Sequence, residues 1–234
     1  MRLAVEIWSD IACPWCYVDK RRFEAALAAF AHKDAVDVTW RAFELDPGAP
    51  KVQPREPSYA ARLAAKYGMS EAKAVAAIDS MTKTAAVEGI EMHPETIQAG
   101  NTFDAHRLIH LAREHGKGDA AKERLFRAYF TEGQAVGDHA ALAAVGAELG
   151  LDAAEVSALL DGDRFAREVR DEELEAQQLG IRGVPFFVIA GRYGVSGAQP
   201  ADALRAALTQ AWTELAPPPV AVVADGPTCG PDGC

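Results

Sequence analysis

Cys13-Pro14-Trp15-Cys16 is the segment of this sequence best equipped for chemistry. If the segment opens a helix, its two thiols stand about one turn apart, close enough to form a disulfide or to exchange with an external one. Pro14 suits a first helical position, where its missing N–H costs nothing and its φ is already helical. A thiol just before that helix meets the positive end of the dipole and unpaired backbone N–H groups. Both favour the thiolate, which is the nucleophilic form. Cys13 is then the candidate attacking thiol, and Cys16 can displace whatever Cys13 has captured. The same spacing also serves buried structural cysteines or half of a zinc site, and spacing alone leaves those readings open.

Other residues carry weaker signals. In Gly183-Val184-Pro185-Phe186, the proline cannot donate a ladder hydrogen bond, so it belongs at an irregular strand entry, with a trans or a cis Val184–Pro185 bond. Glu6, on the stretch leading to the cysteines, is a candidate proton acceptor for Cys16 or an exposed residue at a strand edge. Trp15 lies inside the motif and is expected to be partly exposed, an apolar patch suited to unfolded polypeptide. His106 and His110 share a helix face, yet no third ligand accompanies them, so they read as surface or packing residues and no metal is expected. Arg170-Asp171-Glu172-Glu173 reads as a solvated helix face. Tyr17, Phe23 and Phe30 recur at helical spacing and read as core. Cys229 and Cys234 bracket the turn sequence Gly-Pro-Asp-Gly and can close a reversible disulfide, an auxiliary redox pair for Cys13 and Cys16.

Elements that would position these residues follow from pattern. Residues 3–9 read as a buried strand, the stretch from Cys13 to Phe30 as a helix, and residues 36–45 as a second strand. Prolines at 47, 50, 54 and 57 then break regular structure. From Pro57 to about Leu160 no strand is expected. Ser70, Asn101, Gly116, Gly118, Asp138 and Asp152 divide that segment into five or six helices. A further helix spans 163–179, stopped by Gly180. Strands return at 184–189 and 192–195, and a last helix lies near 200–215. The order is α/β, then all-helical, then α/β again, as when one domain is inserted into another. The expected division is 1–50 and 161–215 for the α/β domain, 51–160 for the helical insertion, and 216–234 for a flexible tail with the second cysteine pair.

The chain has 234 residues, 49% apolar and 25% charged, with a net charge of −10. That suits a globular protein and disfavours binding to nucleic acid or to an anionic membrane. No apolar run reaches the ~18 residues of a membrane-spanning helix. Glu6 and Asp10 interrupt any secretory signal, so a cytoplasmic location is expected, where disulfides tend to be transient and catalytic.

The Cys-Pro-Trp-Cys-Tyr segment and the distant Leu179-Gly180-Ile181-Arg182-Gly183-Val184-Pro185-Phe186-Phe187 resemble the thioredoxin superfamily. The long separation between them is similar to the DsbA-like branch, a thioredoxin fold interrupted by an all-helical insertion domain. Ser9-Asp10, the run Trp40 to Pro47 and the run Asn101 to Arg107 resemble its FrnE-like protein disulfide isomerases and oxidoreductases. The resemblance implies that Cys13 attacks, Cys16 resolves and Pro185 is a cis proline beside them, with Trp15 and Val184 contacting substrate. It implies protein substrates carrying thiols or disulfides, a thiol reductant such as glutathione or thioredoxin, and no cofactor. Trp15 stands where that branch often has a histidine, so the cation such a residue would supply is missing. The branch also contains glutathione-dependent 2-hydroxychromene-2-carboxylate isomerases and kappa-class transferases, which typically carry serine at the first cysteine position. Both cysteines here favour thiol–disulfide exchange over that alternative, and over a soft-metal-binding thiol protein.

Overall fold

Leu3–Ser9 forms strand β1, and its period of two sends Leu3, Val5 and Ile7 to one face and Trp8 to the other. A computed structural model describes residues 2–215 of the chain. Helix α1, Pro14–Ala28, carries the chain across to β2, Val36–Ala42, which runs parallel to β1 with Leu3 opposite Val36 and Ser9 opposite Ala42. Parallel neighbours need such a crossover. Strand β3, Phe186–Ile189, pairs antiparallel with β1, and β4, Tyr193–Ser196, antiparallel with β3. The sheet order is β2-β1-β3-β4.

Six helices stand between β2 and the next helix that packs on the sheet. They are α2 (Tyr59–Tyr67), α3 (Glu71–Val87), α4 (Phe103–Glu114), α5 (Gly118–Phe130), α6 (His139–Glu148) and α7 (Ala153–Asp161). Their starts follow the cap residues: Ser58, Ser70, Asp138 and Asp152 each accept a backbone N–H from the first turn. Asn101 does so for Phe103 one residue ahead of the formal cap. Helix α8, Ala166–Gln178, ends before Gly180, whose φ of 74° is the left-handed conformation a glycine adopts freely. Helix α9, Ala201–Leu215, closes the described chain, and no described helix is long and apolar enough to cross a membrane. The fold is α/β, a mixed four-stranded sheet with a block of helices inserted between β2 and β3, as the sequence pattern predicts.

Helix α1 sits in two cores at once. On the sheet side Phe23 packs with Val5, Ile7 and Phe187, and with Leu204 and Leu208 of α9. At its N-terminal end Cys13, Cys16, Tyr17 and Val18 join the apolar cluster of the inserted helices. Tyr17 stacks on Phe126 of α5 with centroids 4.9 Å apart, and Phe30 packs against the sheet from beyond the helix end. The cysteine turn is thus bolted to the insertion by aromatic packing. Tyr17, Phe23 and Phe30 are core residues, as their spacing predicts.

Three local expectations need correction. Strand β2 ends at Ala42 rather than 45, because the next residues are pulled out of the ladder. The Leu45 N–H donates to Asp10 Oδ2 at 2.7 Å, and Glu44 accepts from Asn101 Nδ2 at 2.8 Å and pairs with Arg170. Strand β3 begins at Phe186 rather than Val184, because the Val184–Pro185 peptide is cis and Pro185 has no N–H to offer. Glu172 is not solvated: it is only 4% exposed and faces β2 and α4, whereas Asp171 stays outside.

Asp19, on the buried side of α1, gives a pH-dependent stability. Its Oδ1 accepts the Gln199 N–H at 3.0 Å, while buried Oδ2 has no partner among the described residues. Burial pushes its carboxyl up to about 7, with Glu88 adding to the rise, against the Gln199 amide and Arg22. A folded value above the unfolded one means that the protonated form is favoured. Its contribution is full below about pH 4 and is lost as pH rises through about 7. Asp19→Asn keeps the Gln199 bond and removes the titration. We expect a flatter stability profile over that window and a gain of about 1–3 kcal/mol at pH 8, measured by denaturant unfolding.

Candidate active site

The chain turns from the end of β1 into α1 through Asp10, Ile11 and Ala12, and Cys13 occupies the cap of the helix. Its backbone is extended, with φ −95° and ψ 111°. Its N–H donates to the Asp10 carbonyl at 3.2 Å, and its carbonyl accepts from Cys16 N at 3.1 Å and Tyr17 N at 3.4 Å. No side chain caps this helix end. The sulfur therefore stands where a serine or aspartate oxygen would otherwise sit, at the positive pole of the dipole.

The Cys13 thiol donates to the carbonyl of Val184 at 3.5 Å, a normal length for sulfur. The cis Val184–Pro185 peptide lies in the connection from α8 to β3, so a segment remote in sequence closes over the Cys13 thiol. Both cysteines are free thiols. Cys13 lines a cavity of about 1100 Å³ whose wall includes Trp15, Tyr59, Met81, Met92, Tyr129 and Val184, while Cys16 does not reach it. Trp15 is 44% exposed at its edge, in the partly open position expected of it.

Behind the cysteines lies a buried polar group that the sequence reading missed. Asp10 is fully enclosed, accepting from Ala12 N at 3.3 Å and Leu45 N at 2.7 Å, and its Oδ1 is 3.6 Å from His106 Nε2. Burial alone would raise the Asp10 carboxyl, but His106 and the Leu45 N–H hold it below the usual carboxylate range. His106 is pushed down, first by burial, against the pull of Asp10. Burial and the neighbouring Cys13 push the Cys16 thiol well up, opposed by Lys122 and Ser9. Lys122, on α5, has no exposed surface, and its Nζ donates to the Ser9 carbonyl at 3.2 Å. The signal for it was available. Lys122 precedes Leu125, Phe126 and Tyr129 by three, four and seven residues, so it falls on the apolar stripe of its helix.

The structure does not bring Glu6 to the cysteines. Glu6 sits on the same face of β1 as Trp8, where its carboxylate takes the guanidinium of Arg41, with Arg41 Nε at 2.9 Å. The strand's period decides this: the site is built from the C-terminal end of β1, and the buried acid there is Asp10. His106 and His110 are both buried and serve packing and polar pairing, His106 with Asp10 and His110 with Glu172 at 3.1 Å. Among the described residues, no three His, Cys, Asp or Glu side chains gather as metal ligands. Cys229 and Cys234 lie outside the described residues.

Comparison with known proteins places this geometry. Residues 4–209 match the DSBA-like thioredoxin domain. The protein YwbO of Bacillus subtilis is 31% identical over 217 residues, spanning 89% of this chain and 97% of its own. The crystal structure of a probable DsbA oxidoreductase from Streptomyces coelicolor superposes with a TM-score of 0.86 at 50% identity, covering 100% of this chain and 98% of that one. The cytosolic disulfide reductase DsbM of Pseudomonas aeruginosa, solved with GSH, shares the fold with a TM-score of 0.64 at 19% identity, over 90% and 99% of the two chains. With residues 4–209 matched and half of its residues identical to those of the Streptomyces coelicolor protein, this chain belongs to the DSBA-like thioredoxin domain family of oxidoreductases.

Proposed function

We propose that the protein is a dithiol–disulfide oxidoreductase and isomerase acting on protein substrates through Cys13 and Cys16. The observation that carries this is the asymmetry of the pair. Cys13 lines the cavity at the helix N-terminus, and Cys16 is sealed one turn behind it. The Cys13 thiolate attacks a sulfur of the substrate disulfide, forming a mixed disulfide and expelling one substrate thiolate. Cys16 then attacks Cys13 Sγ, the second substrate thiolate leaves, and two electrons have passed from the pair to the substrate. Run backwards, the oxidised pair forms a disulfide in a dithiol substrate. If Cys16 does not act first, the expelled substrate thiolate attacks another substrate disulfide, and the thiolate freed there displaces Cys13 from the mixed disulfide, which is isomerisation with no net electron transfer. Val184 and Pro185 border the attacking sulfur, and the exposed Trp15 ring offers an apolar contact to unfolded chain.

A thiol reductant such as glutathione or thioredoxin, in a cytoplasmic setting, would return the oxidised pair to its working state. The reduction potential of Cys13/Cys16 tests the direction of flow. A value near about −270 mV marks a reductant, and one near about −180 mV an isomerase or oxidant. Failure of the wild-type protein both to reduce insulin and to reactivate a scrambled-disulfide substrate would overturn the assignment.

The 1100 Å³ cavity beside Cys13 favours one second reading, a glutathione-dependent isomerase or transferase of small aromatic molecules. Turnover of such a substrate with saturable glutathione dependence, surviving Cys16→Ala, would establish it in place of the first.

We further propose Cys229 and Cys234 as an auxiliary pair exchanging electrons with the active site. Deleting residues 225–234 is then expected to change turnover severalfold without abolishing it. Two free thiols mapping to 229 and 234 in mildly oxidised protein would remove that role.

A further inference from the structure

Lys122 is a lysine with no water and almost no acceptor. Its ammonium would carry three N–H donors, yet the only hydrogen-bond acceptor found for it among the described residues is the Ser9 carbonyl, and no carboxylate lies within salt-bridge distance. The rings of Trp40 and Phe126 flank it, 5.7 and 5.1 Å from Nζ to their centroids. An ammonium so placed is costly unless anions sit nearby. The charged and titratable groups that act on it are Cys16 and Cys13 of the α1 turn, Asp10 from the end of β1, His106 of α4 and Glu172 of α8. Burial lowers its amine to about 8, and of the groups that oppose this Cys16 is the foremost. The Ser9 carbonyl that holds Nζ belongs to the residue whose hydroxyl also favours the Cys16 thiolate.

We propose that Lys122 is the counter-charge for the Cys16 thiolate, a positioning residue that the helical insertion supplies to the resolving step. This rests on the thiol–disulfide function proposed above. While Cys13 is held in a mixed disulfide, Cys16 gives up its proton to solvent, and the ammonium of Lys122 keeps the matching positive charge in the interior. The Cys16 thiolate then attacks Cys13 Sγ, the bond to the substrate sulfur breaks, and the leaving thiolate takes a proton from solvent. The insertion therefore does more than cover the active site, because it tunes the second half of the reaction.

The two phases of one reaction test this. Reduced protein mixed with dithiobis(nitrobenzoate) releases one thionitrobenzoate when Cys13 attacks and a second when Cys16 resolves, so the steps separate in stopped flow. Lys122→Met, which keeps the unbranched shape, is expected to slow the second release about tenfold or more at pH 7 and to raise its pH inflection by about one unit. The first release should change by less than about threefold. Lys122→Arg should recover part of the second step. An unchanged second release and inflection in Lys122→Met would overturn the proposal, and a missing first release in the wild type would overturn the parent function instead.

Discussion

Cys13→Ser is expected to bring disulfide exchange to the uncatalysed background, a loss of about a thousandfold or more in insulin reduction and in disulfide shuffling. Serine is a favoured residue at a helix cap, so the fold and melting temperature should be kept while the nucleophile is lost. Cys16→Ser should behave differently. It leaves Cys13 at the cavity, so the first attack proceeds, but nothing displaces the captured substrate and mixed disulfides accumulate. Mass spectrometry of the two variants after exposure to a disulfide substrate separates the roles: adducts on Cys13 in Cys16→Ser, none on Cys16 in Cys13→Ser. Full activity of Cys13→Ser would remove the proposed function altogether.

Glu172→Ala is expected to cause a large loss of stability. Glu172 Oε2 accepts the Ala42 N–H at 2.8 Å and faces His110 Nε2 at 3.1 Å, and Oε1 accepts from Arg41 at 3.1 Å. The backbone carbonyl of Glu172 also takes the Trp8 indole N–H at 2.9 Å. One residue of α8 thereby ties the sheet to the inserted helix α4. Removing the carboxylate leaves a buried amide N–H and an imidazole without their acceptor and Arg41 with Glu6 alone, which costs about 3–5 kcal/mol. For a chain of this length that is a fall of roughly 8–15 °C in melting temperature. Burial would raise the Glu172 carboxyl, but His110, the Ala42 N–H and Arg41 hold it below the ordinary value of 4.5. Its contribution is therefore present above about pH 4.5 and lost as pH falls through its lower folded value. Thermal melts by circular dichroism at pH 7 and pH 3.5 check both the size and the sign. A change below about 2 °C at pH 7 would show that the network contributes nothing net.

The contrast between these two residues describes what can be seen in a sequence. Cys13 and Cys16 are three positions apart, and the proline between them fixes the local geometry, so the chemistry of the turn depends on neighbours in the chain. The caps at Ser70, Asp138 and Asp152 and the left-handed Gly180 are equally local, and each stops or starts a helix where its type predicts. Glu172 sits in a run of four charges, and nothing adjacent shows that one of them turns inward to meet Ala42 and His110.

The sequence by itself determined the reactive turn, the order of strands and helices, and the interruption of an α/β fold by a block of helices. Each of these depends on short-range preference or on periodicity, which act before the chain has folded. The tertiary structure alone decided which ionisable groups surround the cysteines. Glu6 was the acid nearest at hand on the strand, but the alternation of β1 carries it to Arg41, and the turn after the strand presents Asp10 instead. Lys122 stands more than a hundred positions from Cys16, and its Nζ meets the Ser9 carbonyl at the end of β1 where the aromatic stack of Tyr17 on Phe126 docks α5 against the head of α1. Burial then sets what each group does. A lysine on a helix stripe or an aspartate in a turn is ordinary in water, and only exclusion of solvent makes their charges strong enough to govern a thiol.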